Sequence, residues 1–182
     1  DINGFMGIQT QLLMEQITLL RNCELGKKLL HGSNPRTLDE FRRYVPITTY
    51  ADYAPYLPEK IESALPEPAM VWQRTSGRSS EHDYKWVPVT QRMYRDLGEF
   101  FMALLLFASC NERGEVNLKE HDKFLYGLAP PPYASGCWAR RVADEGIFDF
   151  LPPIDEAEKM PFQKRIEEGI KMGMSEGIDL MA

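Results

Sequence analysis

The chain has 182 residues, 43% apolar and 26% charged, with a net charge of −6 and a sequence pI of about 5.2. That is enough chain for one buried core, and the balance is that of a globular protein. The acidic surplus gives no overall attraction to nucleic acid or an anionic membrane. Cys23, Cys110 and Cys137 are too few and too widely spaced for a disulfide framework or a zinc site.

Taken in chain order, Ile8, Leu12, Leu13, Ile17 and Leu20 recur at helical spacing, which predicts a helix over about 5–30. "HGSNP" (31–35) ends it with turn residues. "TLDE" reads as a capping box, Thr37 with Glu40, opening a short helix over 38–44 that must stop before Pro46. "TTYADY" repeats the device with Thr49 and Asp52, ahead of a helix interrupted by Pro55 and Pro58. Residues 69–74 and "YKWVPV" read as strands, and Pro88 marks the second as an edge or a strand end.

Thr90 caps a predicted helix over 91–110 that carries the apolar run "FFMALLLFA". At nine residues this run is far short of the roughly 20 that cross a bilayer, so it reads as a buried core helix. "KFLYGL" (123–128) is a third strand, and "APPPYASG" is excluded from regular structure by its prolines. A turn or two of helix is expected over 137–145, a strand at "IFDFL", and helix over 155–174 around Pro161 with Phe162, Ile166 and Ile170 on one face. Alternating strands and helices make the fold α/β. The organisation expected is a single (sub)domain over 1–182, with a helical lead-in over 1–65 and an α/β portion over 66–182. From its start at Asp1 and its stop at Ala182 the chain is expected to be a fragment of something longer.

The stretch between the first two strands, "TSGRSSEHDYK", carries the chemistry. Phosphate binding needs converging amide donors, a glycine that lets backbone approach, small hydroxyls, and cations to neutralise charge. Thr75, Ser76, Gly77, Arg78, Ser79, Ser80 and Lys85 supply all four within eleven residues. An ordinary polar turn has the same composition, and the Walker pattern is absent.

"TSGRSSEHDYKWVPVT" (75–90) resembles the phosphate-loop signature of the adenylate-forming superfamily, the acyl-CoA synthetases and firefly luciferase among them. Together with "LDEFRRYVPITTYADYAPYL" (38–57), it resembles more closely the acyl-acid amido synthetases of plants, the auxin-responsive-promoter family, and their bacterial relatives. The resemblance covers about residues 5–145. It implies the N-terminal part of an adenylate-forming fold and a ligase, and the absence of a disulfide framework makes a reducing cytoplasm the expected location. ATP and Mg2+ would activate a carboxylic acid as an acyl-adenylate, and the acyl group would pass to an amine or a thiol. Thr75, Ser76, Gly77, Ser79 and Ser80 would be loop donors and Lys85 the loop lysine, with Arg78 available to strengthen the grip.

Arg78 stands where Thr or Ser is usual, Ser80 and Glu81 replace glycine, and Lys85 comes a residue or two late. The superfamily's later adenine, ribose and hinge motifs and its catalytic lid lysine have no match here, so the chain is expected to be inactive by itself. The alternative is a non-catalytic relative that keeps the fold as a binding or scaffold module.

Other constellations are weaker. Ser135-Gly136-Cys137-Trp138 gives only the tail of a papain-like corner, with no histidine after Cys137. "GRSSE" is half of a nucleophile elbow. His31, His82 and His121 have no ligand spacing, so no metal residue is assigned. The paired arginines of "EFRRYVP" and "CWARRV" read as solvated or ion-paired faces. Met172, Met174 and Met181 read as core, or as the lining of an acyl pocket.

Overall fold

The computed structural model describes residues 1–75 and 84–182, which are mixed α/β, half helical, with small sheets. They fall into two compact units, one of residues 1–69 with 84–88 and the other of residues 70–75 with 89–182.

The first unit is helical. The predicted long helix is two helices, α1 (Ile2–Leu20) and α2 (Glu24–Leu29). The break has a steric cause. A Cβ at Gly26 would lie 1.9 Å from the Leu20 carbonyl oxygen, so only glycine allows the chain to fold back this closely. Cys23 caps α2, its Sγ accepting from the Gly26 N–H at 3.2 Å. The Arg21 guanidinium donates to the Pro35 carbonyl and secures the turn that follows. Ile17, Leu25, Leu30, Leu57, Ala64 and Leu65 are buried.

Helix α3 (Leu38–Tyr44) starts and stops where its sequence signals place it. The Thr37 hydroxyl accepts from the Glu40 N–H at 3.1 Å, and Val45 ends the helix before Pro46. Glu40 reaches back one residue further than a capping box requires, to the Arg36 N–H at 2.7 Å. A 3₁₀ turn (Tyr50–Tyr53) then opens on Thr49, whose N–H and hydroxyl both donate to Asp52 Oδ2, at 2.6 and 3.0 Å. The Thr49 backbone bond holds the Asp52 carboxyl below the usual carboxylate range.

The second unit opens with β1 (Val71–Arg74). Strand β2 (Trp86–Val89) enters it at Val89, whose carbonyl accepts from the Met70 N–H at 2.8 Å. Its main sheet is parallel, in the order β4–β3–β5, from β3 (Lys123–Leu125), β4 (Asp149–Leu151) and β5 (Leu180–Met181). Phe124 pairs with Phe150 on one side and Leu180 on the other. Phe124, Tyr126, Ala139, Val142, Phe148, Phe150 and Ala157 form the core.

Helix α4 (Gln91–Ser109) is capped by Thr90 as predicted, the hydroxyl accepting from the Met93 N–H at 3.2 Å. It is not the buried core helix expected from its apolar run. Phe101, Met102 and Leu105 pack inward, whereas Phe100, Leu104 and Phe107 on the other face are exposed, Phe107 to 77%. No helix among the described residues is long and apolar enough to cross a membrane.

Helix α5 (Ala134–Ala143) begins three residues earlier than predicted, so "ASG" is helical and irregular chain is confined to the prolines before it. Its Trp138 ring lies 4.5 Å from that of Phe101. The helical stretch after β4 divides at Pro161 into α6 (Ile154–Ala157) and α7 (Phe162–Glu176). The face of α7 differs from the predicted one. Phe162 and Ile170 are exposed, and the buried row is Arg165, Gly169 and Gly173, at i, i+4 and i+8. Gly169 lets the helix approach the sheet, because a Cβ there would meet the Leu151 carbonyl at 2.8 Å. Arg165 is fully buried and its nitrogens have no hydrogen-bond partner among the described residues. Its guanidinium lies 5.0 Å from the Tyr126 ring centroid and 5.3 Å from that of Phe162, so aromatic faces supply the electrostatic compensation. Burial pushes the Tyr126 hydroxyl up to about 12.

Candidate functional site

Of the seven phosphate-loop residues inferred from the sequence, Ser76, Gly77, Arg78, Ser79 and Ser80 lie outside the described residues. Thr75 and Lys85 are described, and they stand at the two ends of the segment. The chain leading into it and the chain leading out of it are each fixed by a polar clamp within its own unit.

On the entry side, β1 delivers Arg74 and then Thr75. The Arg74 N–H donates to the Pro132 carbonyl at 2.8 Å. Its guanidinium donates to the Tyr133 hydroxyl at 2.9 Å and lies 4.9 Å from the Tyr133 ring centroid. The proline segment is held against α5 in turn. A Cβ on Gly136 would lie 2.3 Å from the Pro130 carbonyl carbon and 2.4 Å from the Ala129 oxygen. The entry therefore depends on an arginine, a proline run that donates no hydrogen bonds of its own, and a helix whose first turn is bare enough to pack on it.

On the exit side the clamp is Tyr50. Its hydroxyl accepts from the Trp86 N–H at 2.9 Å and donates to the Trp86 carbonyl at 3.2 Å. The Lys85 Nζ lies 5.6 Å from the centre of the Tyr50 ring. The Lys60 Nζ stands 3.2 Å from the centre of the Trp86 ring, and the Tyr84 ring meets Trp86 edge-on at 5.6 Å. Lys60 takes a left-handed backbone conformation, φ 54°, that non-glycine residues rarely adopt. Strain of this kind costs on the order of 1–3 kcal/mol and persists only where the surroundings enforce it. The exit thus carries two ammonium groups, each over an aromatic face, around one backbone-clamped residue.

The sequence reading missed Arg74, Tyr133, Tyr50 and Lys60. A signal existed for Tyr50, which stands in the "TTYADY" phrase next to its capping pair. Lys60 carries none, since no residue pattern announces a left-handed lysine.

The competing sites are structural. Cys137 is buried, and burial pushes its thiol up, the opposite of what a thiolate nucleophile needs. Among the described residues no group of His, Cys, Asp and Glu could hold a metal ion. His121 Nδ1 donates to the Asp149 carboxylate at 3.1 Å on an exposed loop. The arginines of "CWARRV" are ion-paired, Arg140 to Asp155 at 2.6 Å and Arg141 to Glu145.

A family model described as the GH3 family N-terminal domain matches residues 4–137. That span takes in the Tyr50 turn, both strands that flank 76–83, Lys85 and Tyr133. No curated protein and no solved structure matches the chain.

Proposed function

The chain belongs to the GH3 family, that of the auxin-responsive acyl-acid amido synthetases, and from this premise we propose that it serves an ATP-dependent, carboxylate-activating ligase. ATP with Mg2+ supplies an adenylyl group and a pyrophosphate leaving group, so that a carboxylic acid becomes an acyl-adenylate and then an amide or thioester. The chain's own part is to hold the phosphates. Thr75, Ser76, Gly77, Ser79 and Ser80 present hydroxyl and amide donors, while Arg78 and Lys85 neutralise the charge that grows on the leaving group. Preorganised donors act best when their supports do not move, and the clamps at Arg74 and Trp86 provide that support.

The observation that carries this reading is the family match across the whole segment and both of its flanks. The test, made on the full-length protein because residues 1–182 alone are expected to be inactive, is carboxylate-dependent ATP–pyrophosphate exchange over a panel of acids. Ser76→Ala or Lys85→Ala should lower exchange about 100-fold, the usual cost of one leaving-group or oxyanion contact. Absence of exchange, together with no thermal shift on adding MgATP, would favour a binding or scaffold module in its place. Glu81 and Arg78, which depart from the family signature, are the residues that would account for such an outcome.

A further inference from the structure

We propose that Tyr50 is a positioning residue for Lys85, acting through the Trp86 backbone; the inference rests on the phosphate-holding role given above. The Trp86 N–H belongs to the peptide unit that joins it to Lys85, and that unit is planar. When the Tyr50 hydroxyl takes this N–H at 2.9 Å, it fixes the plane on which the Lys85 Cα sits. The same hydroxyl donates to the Trp86 carbonyl at 3.2 Å and so fixes the next plane as well. One oxygen therefore sets the chain direction on both sides of Trp86, immediately after the lysine.

The stem of Lys85 then leaves from a defined point and its ammonium meets the Tyr50 ring at 5.6 Å. A lysine is a point charge on a four-carbon stem with many rotamers, and ordering that stem opposes binding. A ring face attracts the ammonium weakly, enough to narrow its range and too little to compete with a phosphate.

Tyr50 is itself held in place. Thr49 and Asp52 close the 3₁₀ turn that presents it, and the Tyr50 and Tyr53 rings stack at 6.3 Å. On the other side, Lys60 holds the Trp86 ring at 3.2 Å.

The experiment is a double-mutant cycle on affinity for magnesium pyrophosphate, measured by titration calorimetry on the wild type, Tyr50→Phe, Lys85→Ala and the double variant. Tyr50→Phe keeps the ring and removes the hydroxyl. It should weaken binding about fivefold to tenfold, the usual effect of losing one or two partly buried hydrogen bonds. In the Lys85→Ala background the same change should weaken binding less than about twofold, because the group it positions is gone. A tyrosine that only supports the fold would lower the melting temperature and cost the same affinity in both backgrounds, and that result overturns the inference. So does a Tyr50→Phe variant that binds like the wild type. Should Tyr50→Phe fail to fold, Asp52→Ala, which loosens the turn under Tyr50, takes its place with the same expected pattern. A wild type that does not bind magnesium pyrophosphate overturns the phosphate-holding role itself, whereas an additive cycle overturns only the role of Tyr50.

Discussion

Replacing Gly136 by alanine tests the packing that fixes the entry strand. A Cβ at this position would sit 2.3 Å from the Pro130 carbonyl carbon, 2.4 Å from the Ala129 oxygen and 2.4 Å from the Pro131 nitrogen. All three are backbone atoms, so no side chain can rotate away. Contact distances near 3.4 Å would require the helix or the proline segment to retreat by about 1 Å, and overpacking of this kind costs about 3 kcal/mol. Alanine is the better helix former by about 1 kcal/mol, which leaves a net loss of about 2 kcal/mol. For a domain of this size that is a fall of about 4–8 °C in melting temperature. Gly7→Ala in α1 is the control. Nothing lies within 4 Å of its added methyl, so the propensity gain should raise stability by up to about 1 kcal/mol. Thermal and urea melts of the two variants should therefore move in opposite directions. A Gly136→Ala protein as stable as the wild type would refute the close approach of α5 to the prolines, and with it the account of how Arg74 is anchored.

Two further outcomes follow from the charges and thiols. Hydrogen bonds from Lys123, at 2.7 Å, and from His121 hold the Asp149 carboxyl below the usual carboxylate range. A folded pKa below the unfolded one gives stability that is full above about pH 4 and is lost as pH falls through the folded value. Asp149→Asn should lower stability at pH 7 and flatten the acid limb of a stability–pH curve below pH 4; a limb parallel to the wild type would contradict the pairing. Among the thiols, Cys23 and Cys137 are buried and Cys110 is partly exposed. Brief alkylation of the native protein followed by peptide mass spectrometry should find Cys110 labelled first, with Cys23 and Cys137 labelled only after denaturant is added. Early labelling of Cys137 would mean that α5 is not packed as described.

What could be read from the sequence was what neighbouring residues decide between themselves. Thr37 with Glu40, Thr49 with Asp52, and Thr90 are caps whose partners lie three residues away, and each opens a helix or turn where it was predicted. What could not be read depends on distant atoms. The break before α2 comes from Gly26 meeting the Leu20 backbone, and a helical period runs straight through it. The run in α4 is apolar on every side, so its composition could not say that Phe100, Leu104 and Phe107 would face outward. On α7 the period of Phe162, Ile166 and Ile170 pointed to the wrong face. Gly169 is what lets the helix come close to the sheet at the Leu151 carbonyl, and the buried row it belongs to carries a charged residue, Arg165, against the Tyr126 and Phe162 rings, so hydrophobic periodicity gave no sign of that face.

The family was legible for a different reason. Its two sequence signatures, the phrase at 38–57 and the segment opening at Thr75, are separated by more than one element, and neither requires the other as a matter of local propensity. The first unit joins them at one corner. The phrase contains the capped turn, the turn presents Tyr50, and the Tyr50 hydroxyl closes on the backbone of the residue after Lys85. A change in the turn would therefore move the Tyr50 hydroxyl, and a change in the backbone after the lysine would cost that hydroxyl its two bonds to Trp86. Two motifs that meet in this way have reason to occur together, which is why their joint presence carried more information about the family than the serine-rich segment did alone.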